Sequence, residues 1–499
     1  MDRDSRSRAL YGLSCPSGYS QASEKKKVYP NRGKNDVRFE TGPNVVLLSD
    51  SLVQNESFSN LSEFLVLQML YLQGMVLPNH PNNQGLRPIL VGIEEQLQAQ
   101  LDYICRGNYG LVFEKEMMMA GMSAEEAQEM MRIKLKFAFG TIRSSEDLLD
   151  TRILKEDPVE ILNGAFIQRK GINNYELEYK GERVSIDLGL KPEDQYEIPY
   201  RLDHHRIKRE YFSIVHSGEG DGWDITQPCM ASIILFQDRI YLIDAGPNML
   251  TILNYLGISP SEIHGIFHTH VHDDHFAGLP SLATAHHRLK YYATPPVRMS
   301  MMKKLSALTQ IEEDYFYKIL DVEDLTLDQW ANIDGLEAKP VYSPHPVEDN
   351  MFLFRTKCDD SYKTYAHFAD LTSLDVFEKM ITKDKTEPGT TQKRFDAVKE
   401  TYLISVDLKK VDIGGGLIHG VAEDFRKDTS EKILLAHTAN SLTDEQKEIG
   451  DSATFGMVDV LIPAKDDYNY LLTAALRYLT AYFPTEPRYE INYLMNSSH

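Results

Sequence analysis

The chain is poor in cysteine, poor in positive charge and without a long apolar run. Its 499 residues include four cysteines, Cys15, Cys105, Cys229 and Cys358, widely spaced and with no CxxC pair. That excludes the dense disulfide framework of small secreted scaffolds and fits a reducing compartment. Lys and Arg number 53 against 74 Asp and Glu, a net charge of −21. Such a surface repels nucleic-acid polymers and anionic membranes unless a local basic patch intervenes, so small substrates are favoured. No stretch of about 18 apolar residues occurs, and the charged start Met1-Asp2-Arg3-Asp4-Ser5 leads to no apolar run of signal-peptide length. The expectation is a soluble, cytoplasmic protein. A G-x-S-x-G elbow is also missing, and no cysteine adjoins a recognisable base, which leaves Ser/His/Asp and Cys/His nucleophilic sites without support.

What is present is a dense patch of metal ligands. His270-Val271-His272-Asp273-Asp274-His275 reads H-x-H-x-D-H, followed by Phe276-Ala277-Gly278-Leu279-Pro280. Carboxylate and imidazole at this density suit zinc, iron or manganese rather than calcium, which takes oxygen throughout. On an extended segment turning into a helix, His270 and His272 share a face while Asp274 and His275 follow round the turn, so two adjacent ions can be gripped. Gly278 lets the backbone pass close to the site.

The length predicts two or three domains. Residues 1–40, rich in Ser, Lys, Arg, Gly and Asn, read as a flexible leader. Residues 41–205 form a mixed α/β N-terminal region of unassigned role, with helices expected from Leu61 to Leu72 and from a capping Ser123 to Phe139. The methionines at 117, 118, 119, 122, 130 and 131 are expected to pack in a core. Alternating runs at Tyr175–Tyr179 and Val184–Leu188, split by Lys180-Gly181-Glu182, predict a hairpin. Residues 206–445 read as the catalytic domain. Residues 446–499 hold a strand and an amphipathic helix from Tyr468 to Phe483, packing on that domain or on a dimer partner.

A strand ending in Asp244-Ala245-Gly246, then H-x-H-x-D-H, then His345, Asp370 and His437 in that order, resembles the metallo-β-lactamase-fold hydrolases. The resemblance covers about residues 210–440 and implies an α/β fold, the αββα sandwich with its metals at one edge of two sheets. It assigns one ion to His270, His272 and His345, the other to Asp274, His275 and His437, with Asp370 bridging. Asp244 would hold the ligand loop without touching metal. Two divalent ions, zinc first and manganese or iron as alternatives, would ionise a bridging water to the attacking hydroxide, with Asp274 in the catalytic set. The Gly278-Leu279 step is similar to the phosphodiesterase and tRNase-Z-type branch. That branch has a catalytic histidine where His419 follows Gly414-Gly415-Gly416, which makes His419 a general acid for the leaving alkoxide. His268 and His367 would lie behind the ligands, and His204-His205 and His286-His287 on the surface.

Two features depart from the branch. Asp273 adds a carboxylate expected to repel a polyanion, and no glycine- and proline-rich basic arm is found. Lys379, Lys383, Lys385, Lys393, Arg394 and Lys399 are offset by interleaved acids and predict a solvated helical face. The reading is a dinuclear-metal hydrolase of a small phosphodiester, with a cyclic nucleotide the best single substrate, no membrane or polymer partner, and a homodimer open. Its alternatives are an ester, thioester or lactone hydrolase, an RNA-processing endonuclease, or a non-hydrolytic di-iron or binding module.

Overall fold

The structure, a computed structural model, describes residues 10–13 and 45–464 apart from 56, 73, 81, 82, 84, 194–197 and 283–286. The expected leader, the expected helix from Tyr468 to Phe483, Cys15 and His286 lie outside the described residues.

Two seven-stranded sheets face each other. The first runs, edge to edge, through Leu320–Asp324, Leu289–Ala293, Ile263–Phe267, Arg239–Ile243, Ala231–Phe236, Phe212–Gly218 and Val458–Ile462. The second runs through Ala331–Ile333, Leu336–Tyr342, Asn350–Cys358, Ser361–Phe368, Leu408–Asp412, Lys432–Ala436 and Asp451–Ser452. Alternation along Ala231–Phe236 and Arg239–Ile243 sends Ile234, Phe236, Tyr241 and Ile243 inward against Phe352, Phe354, Tyr365 and Leu434 of the other sheet. Ile233, Leu235, Ile240 and Leu242 face outward and are covered by the helices Met249–Tyr255 and Pro295–Thr309. The outer face of the second sheet is covered by the helix Gln392–Tyr402. Because both faces of each sheet are covered, these strands read as continuous apolar runs. The result is an αββα sandwich. Val458–Ile462, beyond residue 445, pairs antiparallel with Phe212–Gly218 and belongs to it.

The N-terminal region is mixed α/β. Four parallel strands, Leu10–Leu13, Val45–Leu48, Ile89–Gly92 and Asp150–Ile153, carry helices α1 (Glu63–Leu72), α2 (Glu94–Tyr109), α3 (Glu114–Met119) and α4 (Ala124–Phe137) among them. A four-stranded antiparallel meander follows, with the expected hairpin between Asn174–Tyr179 and Glu182–Asp187 turning at Lys180 and Gly181, both at positive φ. Ser123 caps α4 in a capping box with Glu126. The region does not stand apart. Tyr103 of α2 joins the outer core of the first sheet, and Met117, Met130, Met131, Ile133 and Phe137 join that of the second. Met118 and Met119 are exposed instead, on the outer side of a one-and-a-half-turn helix.

Candidate metal centre

Every predicted ligand stands just beyond the C-terminal end of a sheet strand, all on one edge of the sandwich. Ile263–Phe267 feeds His270. His272, extended at φ −62 and ψ 149, caps the short helix Asp273–Phe276 that carries Asp274 and His275. His345 follows Leu336–Tyr342, Asp370 follows Ser361–Phe368, and His437 follows Lys432–Ala436. Asp244, Asp370 and His437 are left-handed, with φ of 65, 44 and 60. Such backbone costs of order 1–3 kcal/mol per residue and persists only where its surroundings hold it. Here they do: Asp244 accepts from Thr269 N (2.8 Å), Thr269 Oγ1 (2.7 Å) and His275 Nδ1 (2.8 Å), which ties the Asp-x-Gly turn to the ligand loop. Gly246 and Gly278 are required by contact, since a Cβ on either would lie 2.0 Å from the Asp274 carbonyl or 2.3 Å from the Gly246 carbonyl.

The structure brings seven side chains together in two groups that share one carboxylate: His270, His272, His345 and Asp370, and Asp274, His275, His437 and Asp370. In the first, His272 Nδ1 lies 3.2 Å from His270 Nε2 and 3.0 Å from His345 Nε2, and Asp370 Oδ2 lies 3.4 and 3.6 Å from the latter two nitrogens. In the second, Asp370 Oδ1 is 3.0 Å from His275 Nε2 and 3.2 Å from His437 Nε2, and Asp274 Oδ2 is 3.1 and 3.0 Å from the same pair. Donors about 2.0–2.1 Å from a tetrahedral zinc stand about 3.3 Å from one another, which is the spacing here. Both oxygens of Asp370, Asp274 Oδ1 and His275 Nε2 are buried without a hydrogen-bond partner. Buried polar atoms left in that state are costly unless a cation takes them up. The donor set therefore fits two divalent ions.

Electrostatics divides the groups. Burial holds the His272 and His345 imidazoles well below their ordinary pKa, so they stay neutral donors. His275 and His437 are buried as well, but the carboxylates of Asp274, Asp370, Asp244 and Asp412 outweigh burial and raise them. The second group thus holds excess negative charge that calls for a cation.

His419 lies beside this cluster, its ring centroid 4.5 Å from that of His437. Its Nδ1 donates to Asp412 Oδ2 at 3.1 Å, and it forms a third potential ligand group with Asp370, Asp412 and His437. Asp412 was not singled out from the sequence. It ends strand Leu408–Asp412, and its carboxylate accepts from Gly414 N (2.7 Å), Leu371 N (3.1 Å) and Gly420 N (3.2 Å), organising the glycine turn. The signal was available: a carboxylate at a strand end before glycine, as at Asp244. Asp349 was also missed; buried 3.8 Å from His270 Nδ1, its carboxyl is pushed well up by burial and by Asp370.

Asp273 does not face a substrate. Its carboxylate accepts from the Tyr103 hydroxyl of α2 and from Lys304 Nζ at 2.9 Å, and Lys304 also bonds Glu63 of α1 and the Val271 carbonyl. The ammonium sits 4.5 and 4.7 Å over the Phe276 and Tyr103 rings, with the whole cluster buried. The expected repulsion of a polyanion is replaced by a clamp on the ligand loop. A second buried pair, Lys134 with Glu348 at 2.6 Å, ties α4 to the loop that carries His345, and Glu348 also takes the Leu111 N–H at 2.8 Å. Arg394 likewise leaves the solvated face, pairing with Glu129 of α4 at 2.7 Å.

Among the described residues the remaining histidines stay outside the cluster. His268 Nδ1 meets the Tyr291 hydroxyl at 2.7 Å and His367 Nδ1 that of Tyr365 at 2.8 Å; burial pushes both down to about 3. His204 stacks on Tyr255, His205 meets Phe455 edge-on, and His287 bonds the Ile263 carbonyl.

Residues 212–366 match the family described as anti-Pycsar protein Apyc1. The chain is similar to metallo-β-lactamase-fold hydrolases. Over 274 residues it is 24% identical to a cAMP/cGMP-dependent 3′,5′-cAMP/cGMP phosphodiesterase B of Dictyostelium discoideum, covering 53% of this chain and 24% of that protein. It is 25% identical over 126 residues to ribonuclease Z of Methanococcus maripaludis, covering 24% of this chain and 41% of the relative. The chain thus spans under half the length of both curated relatives. Among solved structures, the metallo-β-lactamase-fold protein YhfI of Bacillus subtilis aligns with 50% of this chain and 99% of its own, at 16% identity and a TM-score of 0.37. The two curated relatives are hydrolases by name, and the residues of the family match, 212–366, lie in the sandwich and include His270, His272, Asp274, His275 and His345. Among the described residues no helix is long and apolar enough to cross a membrane.

Proposed function

We propose that the chain is a dinuclear-metal hydrolase of a small phosphodiester, with a cyclic nucleotide as substrate. The observation that carries this reading is Asp370, which turns one unpartnered oxygen to each of two ligand groups spaced as donors around divalent ions. When bound, two such ions would supply a water ionised near neutral pH and positive charge for a phosphoryl oxygen. The chain's own residues do the rest. Asp244 fixes the His275 ring through Nδ1, which leaves Nε2 as the donor. Asp412 does the same for His419, leaving His419 Nε2 free to give a proton to the departing alkoxide. A ribose oxygen leaves poorly unprotonated, so a proton donor beside the ligands suits this substrate class better than an activated thioester. The phosphodiesterase named among the relatives supports the same reading.

The test is metal analysis of the purified protein followed by a panel of 3′,5′-cyclic nucleotides, a thioester and a lactone. About two equivalents of zinc, manganese or iron and turnover of a cyclic nucleotide above the other substrates are expected. Preferential cleavage of the thioester or lactone would replace the substrate class while keeping the metal site, and an intense iron-oxo absorption band without hydrolysis would point to the di-iron alternative.

A further inference from the structure

We infer that the cleft between the N-terminal helices and the loops of His345 and His419 is the seat of the substrate's nucleobase; this rests on the cyclic-nucleotide reading above. Helix α1 leads from the ligand loop to this cleft. At its first turn Glu63 joins the Lys304 clamp, and Phe64 stacks on Trp223 with centroids 5.8 Å apart. A Cβ added to Gly222 beside them would lie 2.5 Å from Phe64 and 2.7 Å from the Asp274 Cβ, so this end of the helix abuts a ligand residue. Eight residues on, about 12 Å at 1.5 Å per residue, Tyr71 lines the cleft. Across from it stand Pro346 and Ile418, the neighbours of His345 and His419. The Ile418 carbonyl accepts from His345 Nδ1 at 3.2 Å, so one residue both walls the cleft and orients a ligand imidazole. The enclosed part of the cleft measures about 80 Å³, and its mouth is open to solvent.

Its lining suits a heteroaromatic ring. Tyr71, Tyr109 and Phe139 are among its lining residues, Phe139 the most exposed of them, and Asn108 and Arg143 add an amide and a guanidinium, the groups that read base edges. Phe139 is the telling residue. It is 44% exposed and left-handed, with φ of 52, one residue past the Ala138 cap of α4, where glycine or asparagine would sit without strain. A bulky aromatic held there, half in solvent and facing a cleft, serves local folding poorly and base stacking well. The Arg143 guanidinium bonds the Met75 carbonyl at 3.1 Å and pairs with no carboxylate among the described residues, so it has donors to spare. A phosphate alone would make no use of the rings, and a lipid none of the amide.

The experiment compares wild type, Phe139→Gly and Arg143→Ala on 3′,5′-cyclic AMP, 3′,5′-cyclic GMP and the base-free diester methyl 4-nitrophenyl phosphate. It adds calorimetric binding of a cyclic-nucleotide phosphorothioate to the metal-free proteins and a thermal melt of each. Stacking is worth about 1–3 kcal/mol per base, so KM for the cyclic nucleotides rises roughly 5- to 150-fold in Phe139→Gly, and the loss exceeds that on the base-free diester at least fivefold. Phosphorothioate binding weakens in parallel while Phe139→Gly melts no lower than wild type, because glycine relieves the left-handed backbone. A KM within twofold of wild type in both variants, or equal losses on all three substrates, overturns the proposal. Wild type that cleaves the base-free diester but neither cyclic nucleotide refutes the substrate reading itself, before any variant is compared.

Discussion

Asp370 is the residue on which both halves of the site depend. Asp370→Ala removes a donor from each group, so bound metal measured by elemental analysis should fall by more than half and turnover should be lost. Undiminished metal with full activity would exclude the bridge. His419 makes a different demand: His419→Ala should keep its metal and lose roughly 10²- to 10⁴-fold in rate on a sugar-releasing diester, with a much smaller loss when nitrophenolate leaves. Equal losses on the two leaving groups would make the residue structural. Away from the site, burial pushes His216 down to about 4, although it lies 3.0 Å from Asp459. Its folded pKa is depressed, so the unfolded chain takes up the proton first. The stability it contributes is present above about 6.5 and is lost as pH falls towards 4, roughly 3 kcal/mol over that window. Denaturant titrations at stepped pH should show this slope, reduced in His216→Asn; an unchanged slope would assign acid sensitivity to other groups. That these seven side chains would come together was legible because donors in an H-x-H-x-D-H run, followed by isolated His and Asp at strand ends, have few other uses. Asp412 and Asp349 were not, since a single carboxylate acquires its meaning only from the strand that ends beside it.

At the level of elements, the helices of the N-terminal region are structural parts of the site. Glu63 and Tyr103 on α1 and α2 hold Lys304 and Asp273, and Lys134 on α4 holds Glu348. Lys304→Met leaves two buried carboxylates without their cation, a loss of about 3–5 kcal/mol. A lowered melting temperature and weaker metal binding should appear together, although Lys304 touches no ligand side chain. The double variant Lys304→Met/Glu63→Met should recover part of the loss, because it removes one of the stranded charges; no recovery would place the effect in packing alone. Helix and hairpin positions in this region were readable from capping and alternation, as at Ser123 and Lys180-Gly181. Where the helices dock was not, because Glu63, Lys134 and Lys304 look in sequence like ordinary surface charges and only the tertiary fold buries them. Arg394 carries the same lesson, paired with Glu129 rather than with solvent.

For the whole molecule, the charge of −21 gives no long-range attraction to a polyanion. Apparent affinity for a cyclic nucleotide should therefore change little with ionic strength, whereas a single-stranded polymer would give a log-log slope of about −0.7 per contacted phosphate. Efficient cleavage of precursor tRNA with a steep slope, and none of the small diesters, would favour the ribonuclease relative. The fold class was legible from the ordered ligands and the apolar strands, while the attachment of the N-terminal region was not, because its buried contacts cross hundreds of residues. Lys304 meets Glu63 over a separation of 241 residues, and Lys134 meets Glu348 over 214. Contacts that distant form late, since loop closure must precede them. The loops carrying His270 and His345 therefore reach their final shape only when α1 and α4 have docked on them, so during refolding the ability to hold metal should appear only once the N-terminal helices are in place, and ion uptake reports their docking.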